Sequence, residues 1–571
     1  MRLFLFFTIL LISFAARASD PLIVPEAASG LTENKSASYK TAIAVTANPY
    51  ASEAAKAILA QGGSAVDAAI TAQLVLGLVE PQSSGIGGGA FMLHWDAQTQ
   101  QLSSWNGRET APIAVEESHF LNQHGKPMGF FDAVIGGHAV GVPGVIAMLD
   151  AAHKEYGKLP WARLFQPAID LAQTGFTLSP RLHTLLSKMP KVAVNPEISQ
   201  YFFNNGHAKP VGTLLKNPAY AESLALIAQE GASAFYRGAL AKKIVAAVQS
   251  DPNRSGKLQL TDLADYHAQR NEAVCTSFMA YQVCGVPPPS SGGTTVLAIL
   301  GILQSLDIAD KPSATPHAFI EASRLAFADR NHYVGDPDFV PVPTLGMVDH
   351  RYLKQRAALI GTKAHQGSFL PGKPPGAQPR QTTPSPELPS TSHFSIVDTQ
   401  GNVVSMTTSI ETAFGSRIMV GGFLLNNQLT DFSFSPINDE GEKVANRIQA
   451  GKRPRSSMSP TIVFKDGQPV LAIGSPGGAR IIDYVALSLY RILAQGDSLS
   501  NAISEGHIVA MGEQVELERG RFTPGSVTSL QQLGHRVKES DQTSGIHAVR
   551  ITKDGLEGVA DPRREGTIAG F

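Results

Sequence analysis

Residues 388–406 read LPSTSHFSIVDTQGNVVSM, and the stretch changes character in its middle. To its left, KPPGAQPRQTTPSPELPS (373–390) is crowded with proline and small polar residues, a composition that buries too little apolar surface to order itself. To its right, TSHFSIVD and VVSMTTSI alternate on either side of the turn TQGN, the pattern of a β-hairpin. The junction falls between Ser390 and Thr391. A threonine at a strand start has an ordinary reading, because β-branched residues favour extended backbone. It also has a chemical one. A threonine hydroxyl is a poor nucleophile unless a base takes its proton, and an α-amino group, with a pKa of about 7.7–8.0, can be that base. The two groups meet on one residue only when the threonine begins a chain. A cut between Ser390 and Thr391 would therefore explain a loose segment running straight into a strand.

The rest of the composition is that of a globular protein. The 571 residues are 43% hydrophobic and 17% charged, so disorder is local. Lys+Arg 47 against Asp+Glu 48 leaves a net charge of -1, which excludes an overall basic field for nucleic acid or anionic lipid and points to a small-molecule partner. The start, MRLFLFFTILLISFAARASD, joins Arg2 to an apolar run and the small-residue site Ala16-Arg17-Ala18. This is the layout of an export signal, residues 1–18, removed after Ala18. An uncleaved anchor is the alternative, but the apolar run falls short of the roughly 20 residues that a bilayer needs. No later segment is apolar enough to span, so the expected location after signal removal is the periplasm or outside the cell. Cys275 and Cys284, the only cysteines, lie in AVCTSFMAYQVCGV. If Met279 and Ala280 form a two-residue hairpin loop, the two face each other within disulfide range. A bridge is expected in an exported protein, with two buried thiols as the alternative.

Along the chain, TAIAVTA reads as a strand and SEAAKAILAQGG as a helix stopped by Gly62 and Gly63. SAVDAAITAQLVLGLVEP follows as a second helix with Ser64 as N-cap and Asp67 three residues on. GIGGGAFMLHW resembles half of a dinucleotide fingerprint, but a helix precedes the glycines and a strand follows them, the reverse of what nucleotide binding needs. Residues 136–362 read as helix-rich, with PPPSSGGTTVLAILGIL a rigid lead into a buried helix capped by a serine or threonine. Residues 363–390 read as a flexible, proline-rich tether. TIVFKDG and PVLAIGS are further strands, and GSPGGARI leads into the helix IIDYVALSLYRILAQG. His393, the histidine nearest the junction, reads as a packed strand residue. There is no GxSxG, GxxxxGK[ST], HExxH or CxxC.

TSHFSIVDTQGN, FGS, LLNNQLTDFS, KRPRSSMSPT and GSPGGAR occur in this order and resemble the small-subunit motifs of the γ-glutamyltranspeptidase (glutathione hydrolase) family. GIGGGAFML, NGRETAP, GVPG, PPPSSGG and ADRNHYVGDPDFV resemble its large subunit, and the terminal ADPRREGTIAGF is similar as well. The resemblance runs from about Thr41 to Phe571. It implies an α+β fold, the four-layer αββα sandwich of N-terminal nucleophile hydrolases, made as a precursor that cuts itself between Ser390 and Thr391. The large subunit (19–390) and the small catalytic subunit (391–571) would then associate as a heterodimer. Thr391 would attack the γ-amide of glutathione or a related γ-glutamyl compound. The γ-glutamyl ester so formed would pass to water or to an amino-acid or peptide amine, with no metal and no organic cofactor.

The resemblance also implies roles residue by residue. Gly477 and Gly478 match the oxyanion hole, and Ser409 stands where a threonine commonly assists the nucleophile. Arg108, Ser456 and Ser457 match the groups that hold the substrate α-carboxylate; Gln428 and Asp431 match those that receive its α-amino group. Glu411 departs from the family, replacing a usual asparagine and adding negative charge near the amine site. The segment 432–453 that would form a lid lacks tyrosine and tryptophan. Two alternatives remain: a glutaryl-type (cephalosporin) acylase, whose donor has no α-amine, and an inactive exported binding protein.

Overall fold

The computed structural model describes residues 28–33, 35–189, 192, 195–378 and 390–571. The signal reading for residues 1–18, the start of the mature chain at Ser19 and the part of the tether at 379–389 lie outside them.

Fourteen strands build the centre: β1 (Lys35–Tyr39), β2 (Ile43–Thr46), β3 (Gly89–Asp96), β4 (Gln101–Gly107), β5 (Gln269–Asn271), β6 (Val274–Phe278), β7 (Tyr281–Gly285), β8 (Ser392–Val397), β9 (Val403–Ser409), β10 (Thr461–Lys465), β11 (Gln468–Ile473), β12 (His547–Thr552), β13 (Gly555–Ala560) and β14 (Thr567–Gly570). They form two seven-stranded sheets, ordered β14-β2-β8-β9-β3-β4-β5 and β1-β13-β12-β11-β10-β7-β6. Each sheet takes strands from both sides of the Ser390–Thr391 junction. The central hairpin β8–β9 is flanked by β2 and β3 of the preceding chain, antiparallel on both sides.

Strand alternation decides the layers, because successive side chains point to opposite faces. Ile43, Val45, Phe91, Leu93, Val397 and Val403 of the first sheet pack with Ile462, Phe464, Ala472 and Val549 of the second, filling the space between the sheets. The intervening residues, Ala44, Ala90, Met92, Phe394, Ile396, Val404 and Met406, face the other way into a large helical core. That core includes α1 (Pro49–Ala60), α2 (Ala65–Val79), α3 (Trp161–Thr174) and α4 (Pro218–Glu230). The outer face of the second sheet, with Val463, Leu471, Ile473 and Ala548, is covered by α5 (Gly292–Ser305), α6 (Thr315–Tyr333) and α7 (Ile481–Leu493). The architecture is a four-layer αββα sandwich of the α+β class.

Local details explain how the hairpin is seated. Helix α2 is buried along its whole length and starts with a capping box between Ser64 and Asp67. Asp398 in the β8–β9 turn accepts from Gln400 N, Asn402 N and Ala65 N, so one carboxylate closes the turn and fastens it to the start of α2. The glycines of GIGGG serve close approach. A Cβ on Gly87 would lie 2.2 Å from Leu424 O, one on Gly88 2.1 Å from Ser409 O, and one on Gly89 2.3 Å from the Glu109 carboxylate.

One sequence reading needs correction and another needs detail. The tether is not loose at its start: His365 N donates to Glu321 Oε2 (2.9 Å), Gly372 N to Asp329 Oδ1 (2.7 Å) and Arg356 Nη2 to Leu370 O (3.0 Å). Charged groups of α6 and of helix His350–Ala357 satisfy its backbone, which proline content alone does not reveal. Ser291 occupies the N-cap of α5 but makes no side-chain capping bond; its hydroxyl donates instead to Ser456 O, 2.7 Å away.

Cys275 and Cys284 pair across the β6–β7 hairpin, Cα atoms 4.1 Å apart and bridged by a disulfide. Met279, at the turn, has φ +53°. Among the described residues no helix is long and apolar enough to cross a membrane.

Candidate active site

The hairpin register places the junction. Ser392 pairs with Thr408, so Thr391 falls opposite Ser409 at the open end of the β8–β9 ladder. Ser409 Oγ donates to the Ser390 carbonyl at 2.7 Å, and Ser390 Oγ donates to Gln82 O at 2.7 Å. Arg564 Nη1 donates to the Thr391 carbonyl at 3.0 Å, so the C-terminal motif reaches back to the junction. Ser390 and Thr391 are both buried.

A small pocket opens beside Thr391, lined by Arg108, Thr391, Ser409, Glu411, Gln428, Asp431, Ser456, Ser457, Met458, Gly478 and Ile481. Every catalytic or substrate-binding residue picked from the sequence is on this wall except Gly477. Gly477 sits one residue behind Gly478 with φ +137°, and a Cβ there would lie 2.7 Å from the Tyr484 ring. Gly478 has φ +58°, and the short 3-10 turn Gly478–Arg480 leads directly into α7. The turn thus brings the positive end of a 13-residue helix to the pocket. The disulfide lies apart, in an edge hairpin of the second sheet.

The far end of the pocket is dense in buried charge. Arg108, just beyond the end of β4, donates through Nη2 to Asp431 and to Arg455 O (2.8 Å), and through Nε to Pro454 O (3.2 Å). The Glu109 carboxylate lies 3.6 Å from Arg108 Nη1. Burial pushes the Glu109 carboxyl up to about 8, against the downward pull of Arg108. Gln428 Nε2 donates to Glu411 Oε2 at 3.3 Å, and Glu411 N donates to Ser409 Oγ at 2.8 Å. Glu411 holds a left-handed φ of +79°, unusual for this residue type, so the chain turns sharply after β9 to aim it into the site. Arg108 and Asp431, assigned to different ends of a ligand, here satisfy each other. A ligand carrying both an ammonium and a carboxylate can enter between them without leaving either charge buried alone.

Sequence reasoning passed over several residues of the site. Arg330 on α6 donates through Nη2 to Ser457 Oγ (2.7 Å) and through Nε to Ser291 Oγ (2.8 Å). Asn446, in the segment read as a lid, donates to Asp431 O and accepts from Arg455 N, tying that segment to the backbone at Asp431 and Arg455. Met458 and Ile481 supply the apolar walls. Arg330 and Ser291 stand within the quoted runs ADRNHYVGDPDFV and PPPSSGG, so a signal was present, but nothing local says that an arginine some 127 residues away will reach a particular serine. His393 is fully buried between Thr407 and Ser395 with burial driving its pKa well below the ordinary histidine value, which makes it a neutral packing residue.

Comparison with known proteins agrees with this geometry. The Gamma-glutamyltranspeptidase family model matches residues 51–571. The glutathione hydrolase proenzyme of Bacillus subtilis (strain 168) is 35% identical over 547 residues, covering 93% of this chain and 92% of that protein. The glutathione hydrolase proenzyme of Escherichia coli (strain K12) is 33% identical, covering 96% and 95%. Among solved structures, cephalosporin acylase from Bacillus halodurans superposes with a TM-score of 0.83 at 25% identity, covering 96% of this chain and 99% of that one. With its family motifs in order along the chain and gathered on one pocket, the chain belongs to the gamma-glutamyltranspeptidase family.

Proposed function

We propose that the protein is a self-processing γ-glutamyl hydrolase and transferase whose nucleophile is Thr391. The observation that carries this reading is a single pocket with a hydroxyl pair, Thr391 and Ser409, at one end and a guanidinium, two serines and carboxylates at the other. That arrangement is complementary to an amino-acid head group whose side chain ends in an acyl carbon.

In the uncut chain, Ser409 polarises the Ser390 carbonyl by donating to it. Thr391 Oγ attacks that carbonyl carbon; the new C–O bond forms as the C–N bond to Thr391 breaks, and the nitrogen takes up the hydroxyl proton. Water then hydrolyses the ester, leaving a carboxylate on Ser390 and a free α-amine and hydroxyl on Thr391. In the cut enzyme that amine accepts the hydroxyl proton as Oγ attacks the γ-carbonyl of glutathione or another γ-glutamyl amide. Charge growing on the carbonyl oxygen is met by backbone N–H groups of the Gly477–Gly478 turn and the start of α7. The departing amine takes the proton, and the γ-glutamyl ester passes to water or to an amino-acid or peptide amine. Meanwhile Arg108, Ser456 and Ser457 hold the α-carboxylate, and Asp431, Gln428 and Glu411 the α-ammonium.

Export follows from the leader at residues 1–18, with the periplasm or the extracellular space as destination, and the Cys275–Cys284 bridge suits an oxidising compartment. Subunits 19–390 and 391–571 stay together because both sheets interleave strands from each.

The similarity to a cephalosporin acylase favours a second reading, a glutaryl-type acylase. Against it, a donor without an α-amine would leave Asp431 and Glu411 facing no cation from the ligand. Purified protein tests both. The first reading expects two chains on a denaturing gel, the lighter beginning Thr-Ser-His-Phe, and faster release of 4-nitroaniline from the γ-glutamyl than from the glutaryl anilide. An unbroken, fully active chain would overturn the mechanism, and equal rates on the two anilides would overturn the assignment of the amine end.

A further inference from the structure

The chain between residues 411 and 417, just beyond β9, is held in an uncommon shape. Glu411, Phe414 and Arg417 have left-handed φ values of +79°, +67° and +61°, with Gly415 at +54°. Residues other than glycine enter this region at a cost, and they stay there only where surrounding bonds over-determine them. Glu411 is the first of the three, and it lines the pocket. The bonds that fix the loop converge on Arg417. Its Nη1 reaches back to Gly415 O (2.9 Å) and Thr412 Oγ1 (3.4 Å), and across to Val134 O (3.5 Å). Asn427 Nδ2 donates to two of the same acceptors, Thr412 Oγ1 (2.7 Å) and Val134 O (3.0 Å), while its Oδ1 accepts from Thr412 N (3.1 Å). The next residue, Gln428, is the one that donates to Glu411 Oε2.

The Arg417 cation is not placed to meet an acid. The residue is 6% exposed, and among the described residues no carboxylate forms an ion pair with it and its buried Nε has no hydrogen-bond partner. Burial pushes its pKa down to about 10. A guanidinium buried without a counter-charge is costly, so its contribution lies in the bonds it makes. Those bonds end on the loop itself and on the Val134 carbonyl; Arg417 does not line the pocket.

We propose that Arg417 is a positioning residue for donor specificity: by tying Thr412 and Gly415 to Val134 it holds the left-handed turn at Glu411 and keeps that carboxylate aimed at the donor α-amine. The inference rests on the reading that Glu411 belongs to the amine end. It also gives FGS and LLNNQLTDFS a joint task, since the arginine that follows the first and Asn427 of the second close on one threonine hydroxyl.

The test compares kcat/KM on γ-glutamyl-4-nitroanilide and glutaryl-4-nitroanilide, which lacks the α-amine, using the full-length, self-cut protein. Arg417→Met is expected to lower the γ-glutamyl to glutaryl ratio by about 2- to 10-fold, as for a carboxylate misplaced rather than removed, with glutaryl turnover within about threefold of wild type. In the Glu411→Asn background the same change is expected to move the ratio by less than about twofold, because the side chain it positions is gone. Thr412→Val, which keeps the cation and removes the hydroxyl it holds, is expected to shift the ratio in the same direction by a smaller factor, and it decides the matter if Arg417→Met is not recovered as cut protein. An unchanged ratio, an equal loss on both anilides, or a fall of the same size in the Glu411→Asn background would overturn the role of Arg417. If Glu411→Asn alone leaves the ratio unchanged, the placing of Glu411 at the amine end is overturned instead.

Discussion

The two ends of the pocket are built on opposite principles. At the end proposed to hold the nucleophile the groups are neutral, and the chain neighbours that place them are close: Thr391 and Ser409 face each other because a six-residue strand turns back on a seven-residue one. At the end proposed for recognition, buried charges (Arg108, Glu109, Glu411 and Asp431) gather with Gln428, Ser456 and Ser457, from segments far apart in the chain. A hairpin can set the first end alone. The second exists only after two sheets and a helical layer have closed around it. The difference teaches that the chemistry can be inherited with a short motif, whereas selectivity depends on how distant segments share a small number of charges.

The largest effect should come from the nucleophile end. Thr391→Ala is expected to give an uncut chain with activity reduced by at least about 10³-fold, read by denaturing gel and anilide turnover. Cutting at the normal bond in that variant would break the comparison at its stronger side. Next comes Arg108→Gln, which removes a cation shared by Asp431 and Glu109. A fall of about 10²-fold in kcat/KM on the γ-glutamyl anilide is expected, with cutting at Ser390–Thr391 retained. Loss of cutting would mean that the two ends are not separable.

Smaller changes sharpen the contrast. Glu411→Asn should lower the ratio of γ-glutamyl to glutaryl turnover by about 3- to 30-fold, as expected for removing one carboxylate partner of an ammonium. An unchanged ratio would remove Glu411 from the amine end. The least effect is thermodynamic and concerns Glu109, whose pKa in the folded protein is raised to about 8. The folded state therefore holds a proton that the unfolded chain has released between the ordinary glutamate range and about pH 8. Its contribution to stability is present in full below the unfolded pKa and is lost as pH rises through the folded one. Glu109→Gln cannot ionise, so the difference in Tm between variant and wild type should move in favour of the variant from pH 5 to pH 8.5. A difference that stays constant or moves the other way would show Glu109 to be ionised throughout.

Much of the fold was legible in local pattern. Period-two alternation marked β8 and β9, short apolar runs marked β10 and β11, and the capping box marked α2, because these signals depend only on residues within a few positions. The hairpin reading of Cys275 and Cys284 needed no more than a two-residue turn. Segment 363–378 was misjudged because its order comes from Glu321, Asp329 and Arg356 on other elements. A serine, Ser291, does stand at the N-cap of α5 as the sequence suggested, but where its hydroxyl bonds was not legible, because the partner lies 165 residues away. The site residues Arg108, Asp431, Ser456 and Ser457 were named through family resemblance; their pairing, and the hold of Arg330 on the serines, were not.

The sequence by itself determined which residues alternate, where helices start, where loose composition meets a strand, and hence where a chain could expose a threonine amine beside its own hydroxyl. The tertiary structure decided which charges neutralise each other, why Gly87, Gly88 and Gly89 stand against Leu424, Ser409 and Glu109, and which serine takes the Arg330 guanidinium. The physical reason is range. Periodicity and capping act over a few residues, whereas burial of a charge is tolerable only when a partner arrives from elsewhere in the chain, and that partner is chosen by the packing of layers.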